Sequence, residues 1–250
     1  MAFSFGAAPP LPPQPQQQPP PPPPQARAAV GLSALPGAAA LRRVLVLDVE
    51  ATTGLNFKAL RAPRGSARAM AGHSMQPAGD AWADVHVASV AWCNVDTRSG
   101  TVGECSSVFV RPEPGQLVDN AFSPEVTLER LEREGVPVAD ALGRVARAIE
   151  AADAVAAHNA EFDKGALVSH MLRAGMREEA RAVHAKPWLC TMRTASQVEP
   201  LLARKFPKLG ELVDFYGLPW AGEPHTAAAD AEACAQCLLR LWVGGSVRAS

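Results

Sequence analysis

Four consecutive apolar residues, Val44-Leu45-Val46-Leu47, run without a break into Asp48 and Glu50. A continuous apolar run with β-branched members reads as a strand buried on both faces, which needs cover above and below its sheet. On a strand, residues i and i+2 point to the same side, so Asp48 and Glu50 share one face. Two carboxylates at the end of an apolar strand are costly to desolvate unless something positive joins them. Hard divalent cations prefer carboxylate oxygens and supply such a partner. Taken alone, the pair also fits a solvated strand end.

The rest of the chain supplies elements to surround that strand. Residues 84–95 and 101–110 read as two strands, and Asp96-Thr97-Arg98-Ser99-Gly100 between them has turn composition, so they form a hairpin. Ser123-Pro124-Glu125 reads as a helix start, with a capping hydroxyl and a proline in the first turn. Leu142, Val145, Ala146 and Ile149 fall at i, i+3, i+4 and i+7, the spacing of a helix face. Ala154 to Ala157 reads as a short buried strand, followed by His158-Asn159 and a helix opening near Asp163. Pro187 to Thr191 reads as another short strand, and residues 225–243 as the last helix. Early antiparallel strands followed by βαβ units predict a mixed α/β sheet with helices on both faces.

Proline divides the chain. Twelve of the 23 prolines lie within residues 1–36, interleaved with glutamines. Proline fixes φ and removes a donor, so residues 1–40 read as a disordered Pro/Gln/Ala-rich tail ahead of a domain over 41–245. The tail fits a solubilising spacer, a docking segment for a proline-recognition domain, or an organelle-targeting peptide. Residues 56–80, rich in Gly, Ala, Pro and Arg, read as a long basic loop inside the domain.

Composition closes off several classes. With 250 residues, 48% apolar and 20% charged, the chain is long enough for a core that needs no staples. No run is long and apolar enough for a membrane span. The net charge of −1 excludes a polycation that coats nucleic acid indiscriminately. Five cysteines, an odd number without disulfide spacing, read as free thiols in a reducing compartment. The expected location is therefore intracellular and not secreted, in cytoplasm or nucleus with an organelle left open.

Two further constellations carry chemistry. His158-Asn159-Ala160-Glu161-Phe162-Asp163 joins a strand to a helix, and ligands of α/β sheets bind at such carboxyl ends. Asp163 also fits a simple cap. His225 precedes Asp230 by five residues, so a histidine at the mouth of a helix and a carboxylate one turn inside can reach one cleft. Singly, they also fit a surface histidine and a helix-face aspartate.

In this order the three elements resemble the DEDDh branch of the 3′→5′ exonucleases, with RNase T and the proofreading epsilon subunit of bacterial polymerase III. VLDVEAT resembles the first motif, AHNAEFDKGAL the second and PHTAAADAEA the third. PWLCTMRTA and FPKLGELVDFYGL resemble the strand and helix between the second and third. The likeness spans roughly residues 42–243. It implies a ribonuclease H-like fold, a five-stranded mixed sheet flanked by helices on both faces. It implies that Asp48, Glu50, Asp163 and Asp230 hold two divalent cations, Mg2+ with Mn2+ as substitute. His225 would act as general base on the attacking water, a task suited to imidazole at neutral pH. Paired cations ~3.5–4 Å apart stabilise both oxygens of an in-line displacement at phosphorus. The implied substrate is the 3′ end of single-stranded DNA or RNA, and the implied products are nucleoside 5′-monophosphates. A homodimer follows by family analogy.

The chain departs from the pattern in places. Ala51 separates Glu50 from Thr52 and Thr53, so Thr52, Thr53 and Leu55 all stand as candidates to touch the last nucleotide, with His158 and Asn159 from the second motif. Thr226 stands where many members have arginine. Two basic stretches, Lys58/Arg61/Arg64/Arg68 and Arg181/Lys186/Arg193/Arg204/Lys205/Lys208, could track phosphates or be solvated faces. Phe57 fits a base-stacking residue or a loop anchor. Cys234-x-x-Cys237 lacks a second pair and reads as buried free thiols. A competing class is a nucleic-acid-binding adaptor that uses the fold as scaffold and the tail for docking. All five catalytic positions are filled, which speaks against it.

Overall fold

A computed structural model describes residues 40–53, 82–119, 123–198 and 205–243. The expected tail (apart from Ala40), Leu55, Phe57, the 56–80 loop and Arg204 lie outside the described residues.

The apolar run forms the middle of β1 (Arg43–Ala51), and Val44 to Leu47 are 0% exposed. β2 (Val87–Asp96) pairs antiparallel to it, with Glu50 opposite Ser89 and Asp48 opposite Ala91. β3 (Thr101–Val102) and β4 (Ser106–Phe109) both pair with β2, at Val95–Asp96 and Ser89–Trp92 respectively. The hairpin is therefore present, with its return strand broken in two. The turn is closed by Asp96, whose Oδ1 accepts from the N–H groups of Arg98 and Ser99 at 2.8 and 2.9 Å, and by Gly100 at φ +69°. β2 begins at Val87 rather than at residue 84.

After β4 come α1 (Leu128–Glu134), α2 (Val138–Ala151), β5 (Ala154–Ala157), α3 (Ala160–Arg173), α4 (Arg177–Ala185), β6 (Trp188–Cys190), α5 (Thr191–Val198), α6 (Leu209–Tyr216) and α7 (Ala227–Trp242). β5 runs parallel to β1, and β6 parallel to β5. The six strands occupy five positions, because β3 and β4 share the edge beside β2. The five-position mixed sheet with helices on both faces agrees with the expected architecture.

The two faces of β1 build two cores. Leu45, Leu47 and Val49 pack with Leu142, Val145 and Ile149 of α2 and Leu167 and Met171 of α3. Val44 and Val46 pack with Ala91, Cys93, Leu212 of α6 and Leu238 and Leu241 of α7. Each buried leucine contributes roughly 1.5–3 kcal/mol of transfer free energy. Small residues at Ala227, Ala231 and Cys234 let α7 lie close to the sheet beneath the acidic end of β1. Gly165 serves α3 similarly: a Cβ there would stand 2.4 Å from the Trp82 ring.

Two expectations are corrected. The helix expected at Ser123 starts at Leu128, capped by Thr127, whose hydroxyl accepts from Arg130 N–H at 3.2 Å. A cap needs its oxygen over the N2 or N3 amide, and Ser123 is too far upstream. Cys93 and Cys105 form a disulfide across the break between β3 and β4, so the five thiols are not all free. Cys190, Cys234 and Cys237 are free. The disulfide removes the ground on which a reducing compartment was expected. Among the described residues no helix is long and apolar enough to cross a membrane.

Candidate active site

The face of β1 that buries Val44 and Val46 under α7 continues with Asp48 and Glu50, both half-buried. Asp230, also half-buried, sits in the first turn of α7. One ligand oxygen from each of Asp48, Glu50 and Asp230 lies within 4.8 Å of the others. Strand period and helix approach thus bring together carboxylates that are about 180 residues apart in the chain.

Asp163 arrives from a different direction. β5 ends at Ala157, and its pairing with β1 ends at Val46. Farther along β1, the Val49 N–H is taken by Asp163 Oδ1 at 3.0 Å from the first turn of α3. Asp163 is 2% exposed and lies outside the three-residue group, with one oxygen anchored to the strand backbone. Its charge still reaches the group.

The electrostatics are repulsive. Burial raises the Asp48 carboxyl well above the ordinary value, and the charges of Asp163, Glu50 and Asp230 push it further. Burial also raises Asp163 well above its ordinary value; the Val49 N–H and its own backbone N–H oppose this, and Glu50 and Asp230 add to it. Asp230 is raised by burial and by Glu125, against the N–H and charge of His225. Carboxylates held this close demand positive charge, and an all-oxygen donor set suits a hard divalent cation. The residues present therefore fit such ions.

His225 is exposed at the mouth of α7, with φ +66°. That left-handed conformation costs a non-glycine residue roughly 1–2 kcal/mol. Its N–H donates to Asp230 Oδ1 at 3.0 Å, and its C=O accepts from Ser123 Oγ at 2.8 Å. Among the described residues no hydrogen bond uses its ring. Asn159, at the strand-to-helix junction of the second motif, is also left-handed, at φ +69°. It is exposed, and its side chain caps nothing. Glu161, two residues before Asp163, pairs instead with Arg193 at 2.8 Å.

The remaining expected contacts are placed unevenly. Thr52 is 0% exposed, and among the described residues its hydroxyl has no hydrogen-bond partner. Its N–H donates to His86 C=O, and its C=O accepts from Asp119 N–H, both at 2.8 Å. Thr53 donates to Asp84 C=O at 2.8 Å. His158 has both ring nitrogens engaged, Nδ1 with Thr191 Oγ1 at 3.0 Å and Nε2 with Pro207 C=O at 2.9 Å. Burial lowers its pKa, so the ring is neutral at pH 7, with Nε2–H donating. His158 therefore ties the 205–208 segment to the end of β5 and, as placed, offers a nucleotide no free nitrogen.

The second basic stretch is largely committed to internal partners. Arg181 pairs with Glu178, Lys205 with Glu211, and Lys186 donates to Glu150 and Ala152 carbonyls. Arg193 lies over the exposed Phe206 ring at 5.8 Å to the centroid. Cys234 and Cys237 are buried, and burial raises both thiols, Cys237 to about 12. That agrees with inert core thiols.

Glu125 is the residue the sequence reading missed. It is 6% exposed, its Oε1 accepts from Ser89 Oγ at 2.6 Å and from Ala227 N–H at 2.9 Å, and its charge is felt by Asp48 and Asp230. A signal was present. Ser123 and Thr127 are two cap candidates within five residues of one helix start, and only one of them can cap it.

A model of the RNase T family, described as an exonuclease, matches residues 80–238, well over half of the chain. The match covers Asp163, His225 and Asp230; Asp48 and Glu50 lie before it and join through the register of β1. No curated protein matches by sequence. Among solved structures, the nuclease domain of 3′hExo, a DEDDh family member bound to rAMP, aligns at TM-score 0.59 and 13% identity, over 83% of this chain and 96% of that one. A 3′-exonuclease recognising the histone mRNA stem-loop aligns at 0.58 and 13%, over 82% and 83%. E. coli Exonuclease I in complex with a dT13 oligonucleotide aligns at 0.54 and 15%, over 80% of this chain and 41% of that one. At these identities the likeness establishes the fold, which is ribonuclease H-like.

Proposed function

Since the chain belongs to the RNase T exonuclease family, we propose that it is a metal-dependent 3′→5′ exonuclease acting on single-stranded nucleic acid ends and releasing nucleoside 5′-monophosphates. The convergence of Asp48, Glu50 and Asp230 oxygens within 4.8 Å, beside a strained His225, carries this reading.

Asp48, Glu50 and Asp230, with Asp163 beside them, would hold two divalent cations, with Mg2+ as the ion and Mn2+ as its substitute. When bound, such ions offset charge developing at phosphorus and activate the attacking water. His225 takes the proton of that water. Among the described residues its ring has no hydrogen-bond partner, and its backbone is tied to Asp230, so base and ligand keep a fixed spacing. Asn159, at the exposed mouth, contacts the terminal nucleotide, with half-buried Thr53 on its sugar side. Arg193 binds phosphate by exchanging Glu161 for it, since an exposed ion pair is worth little. One structural neighbour recognises a histone mRNA stem-loop and another was solved in complex with dT13, so the fold admits either sugar. Residues 41–245 form the catalytic unit in this reading, with the 1–40 tail appended.

The test is a 3′-end-labelled strand of one sequence, made as DNA and as RNA, incubated with Mg2+, with Mn2+ and with EDTA. Stepwise release of mononucleotides with either cation and none with EDTA is expected. Release that persists in EDTA, or endonucleolytic fragments, would overturn the reading.

A further inference from the structure

The His225 turn is not held by its own helix alone. Ser123 and Glu125 are 4% and 6% exposed, in the segment ahead of α1 and 102 residues before their partners. Ser123 Oγ donates to the His225 carbonyl at 2.8 Å. Glu125 Oε1 accepts from Ala227 N–H, the first residue of α7, at 2.9 Å, and from Ser89 Oγ at 2.6 Å. Ser89 lies opposite Glu50 in the β1–β2 register. One carboxylate oxygen thus joins the strand position facing Glu50 to the helix turn that carries Asp230.

We propose that Ser123 and Glu125 form a bracket that positions His225 and Asp230 against Asp48 and Glu50. What the positioned groups do rests on the exonuclease reading above. A non-glycine residue in the left-handed region persists only where its surroundings over-determine it. Here the His225 N–H is held by Asp230, its C=O by Ser123, and the N–H two residues on by Glu125. Packing alone does not explain a carboxylate at this place. Glu125 adds repulsion to Asp48 and Asp230, and Arg130 Nη1 stands 4.0 Å from its other oxygen. What it provides is a strong acceptor at a helix N-terminus, where the free N–H groups and the helix dipole favour an anion. A glutamine carbonyl can accept the same two bonds in the same place, which gives the bracket a conservative variant.

Three variants, Glu125→Ala, Glu125→Gln and Ser123→Ala, read by two measurements test the bracket. In the metal-free protein, amide hydrogen exchange over residues 223–231 accelerates ~10-fold or more in Glu125→Ala, while β1 and β2 keep their protection. In the nuclease assay, kcat falls ~10–100-fold in Glu125→Ala, with KM within about threefold. Ser123→Ala loses a few-fold in kcat, and Glu125→Gln returns to within about threefold of the parent. If Glu125→Ala does not fold, Ser123→Ala and Glu125→Gln still read the bracket through exchange. Unchanged exchange over 223–231 in the alanine variants, exchange that rises uniformly across the sheet, or a Gln variant as impaired as Ala would overturn it. A parent without nuclease activity but with the local exchange difference would uphold the bracket and remove the proposed activity.

Discussion

The two faces of the central sheet each bury polar side chains, and they do so in opposite ways. On the α3 face, His170 is 4% exposed and takes the Val87 N–H on Nδ1 at 3.0 Å. Arg173 reaches in beside it and donates to the Trp82 and Val85 carbonyls and to Ser169 Oγ. Donors meet acceptors, and burial drives His170 down to about 3, so it stays neutral. On the α7 face, Asp48, Glu50 and Asp230 gather carboxylate oxygens within 4.8 Å of one another, and burial raises the Asp48 and Asp230 carboxyls, with neighbouring acidic charges adding to it. The first cluster pairs His170 Nδ1 and the Arg173 guanidinium with backbone and hydroxyl groups and serves the fold. The second is incomplete without added positive charge, which separates a site from a structural network.

The largest expected effect breaks the incomplete cluster. Asp163→Asn keeps the acceptor for Val49 N–H and so keeps the fold, but removes a charge. Mononucleotide release should fall ~10³-fold or more, with an unchanged circular dichroism spectrum. His225→Ala should cost ~10²-fold in kcat; an unchanged rate would remove the general-base role. Acting on the first cluster instead, Arg173→Met takes one donor from each of three acceptors. It should lower stability by about 2 kcal/mol in urea unfolding without altering the cation requirement. Asp48→Asn should do the reverse, raising the stability of the metal-free protein by about 1 kcal/mol while abolishing activity.

The smallest effect sharpens the contrast through pH. Carboxyls raised in the folded state bind protons that the unfolded chain has released, so this cluster loses stability as pH rises above about 4. His170, depressed in the fold, acts oppositely. Its contribution is present above about pH 6.5 and is lost as pH falls toward 3. In the metal-free protein, His170→Asn should remove the acid-side loss and leave the fall toward neutral pH in place. Thermal unfolding between pH 3 and 8 in EDTA reads both limbs.

The sequence made the central strand legible because Val44–Leu47 has no polar interruption, and β5 because Ala154–Ala157 stops at a histidine-asparagine junction. It made α7 legible because Asp230 sits at a fixed spacing from His225. These are local signals of period and punctuation. The break between β3 and β4, the Cys93–Cys105 bond and the Glu125 bracket were not legible, because each depends on which residues meet across the fold. Ser123-Pro124-Glu125 has the composition of a helix start and is used for a long-range contact instead. His158 was legible as a residue of the site region, but its use as a tie to Pro207 depends on a partner 49 residues later in the chain.

Cation binding gives the most direct test of the difference between the faces. Calorimetric scans of the metal-free protein at pH 7, with and without Mg2+, compare the parent with Asp48→Asn/Glu50→Gln. Saturation at about 100 times Kd should stabilise the parent by about 2.7 kcal/mol and leave the double variant unmoved. An equal shift in both, or none in the parent, would contradict a cation site at the end of β1.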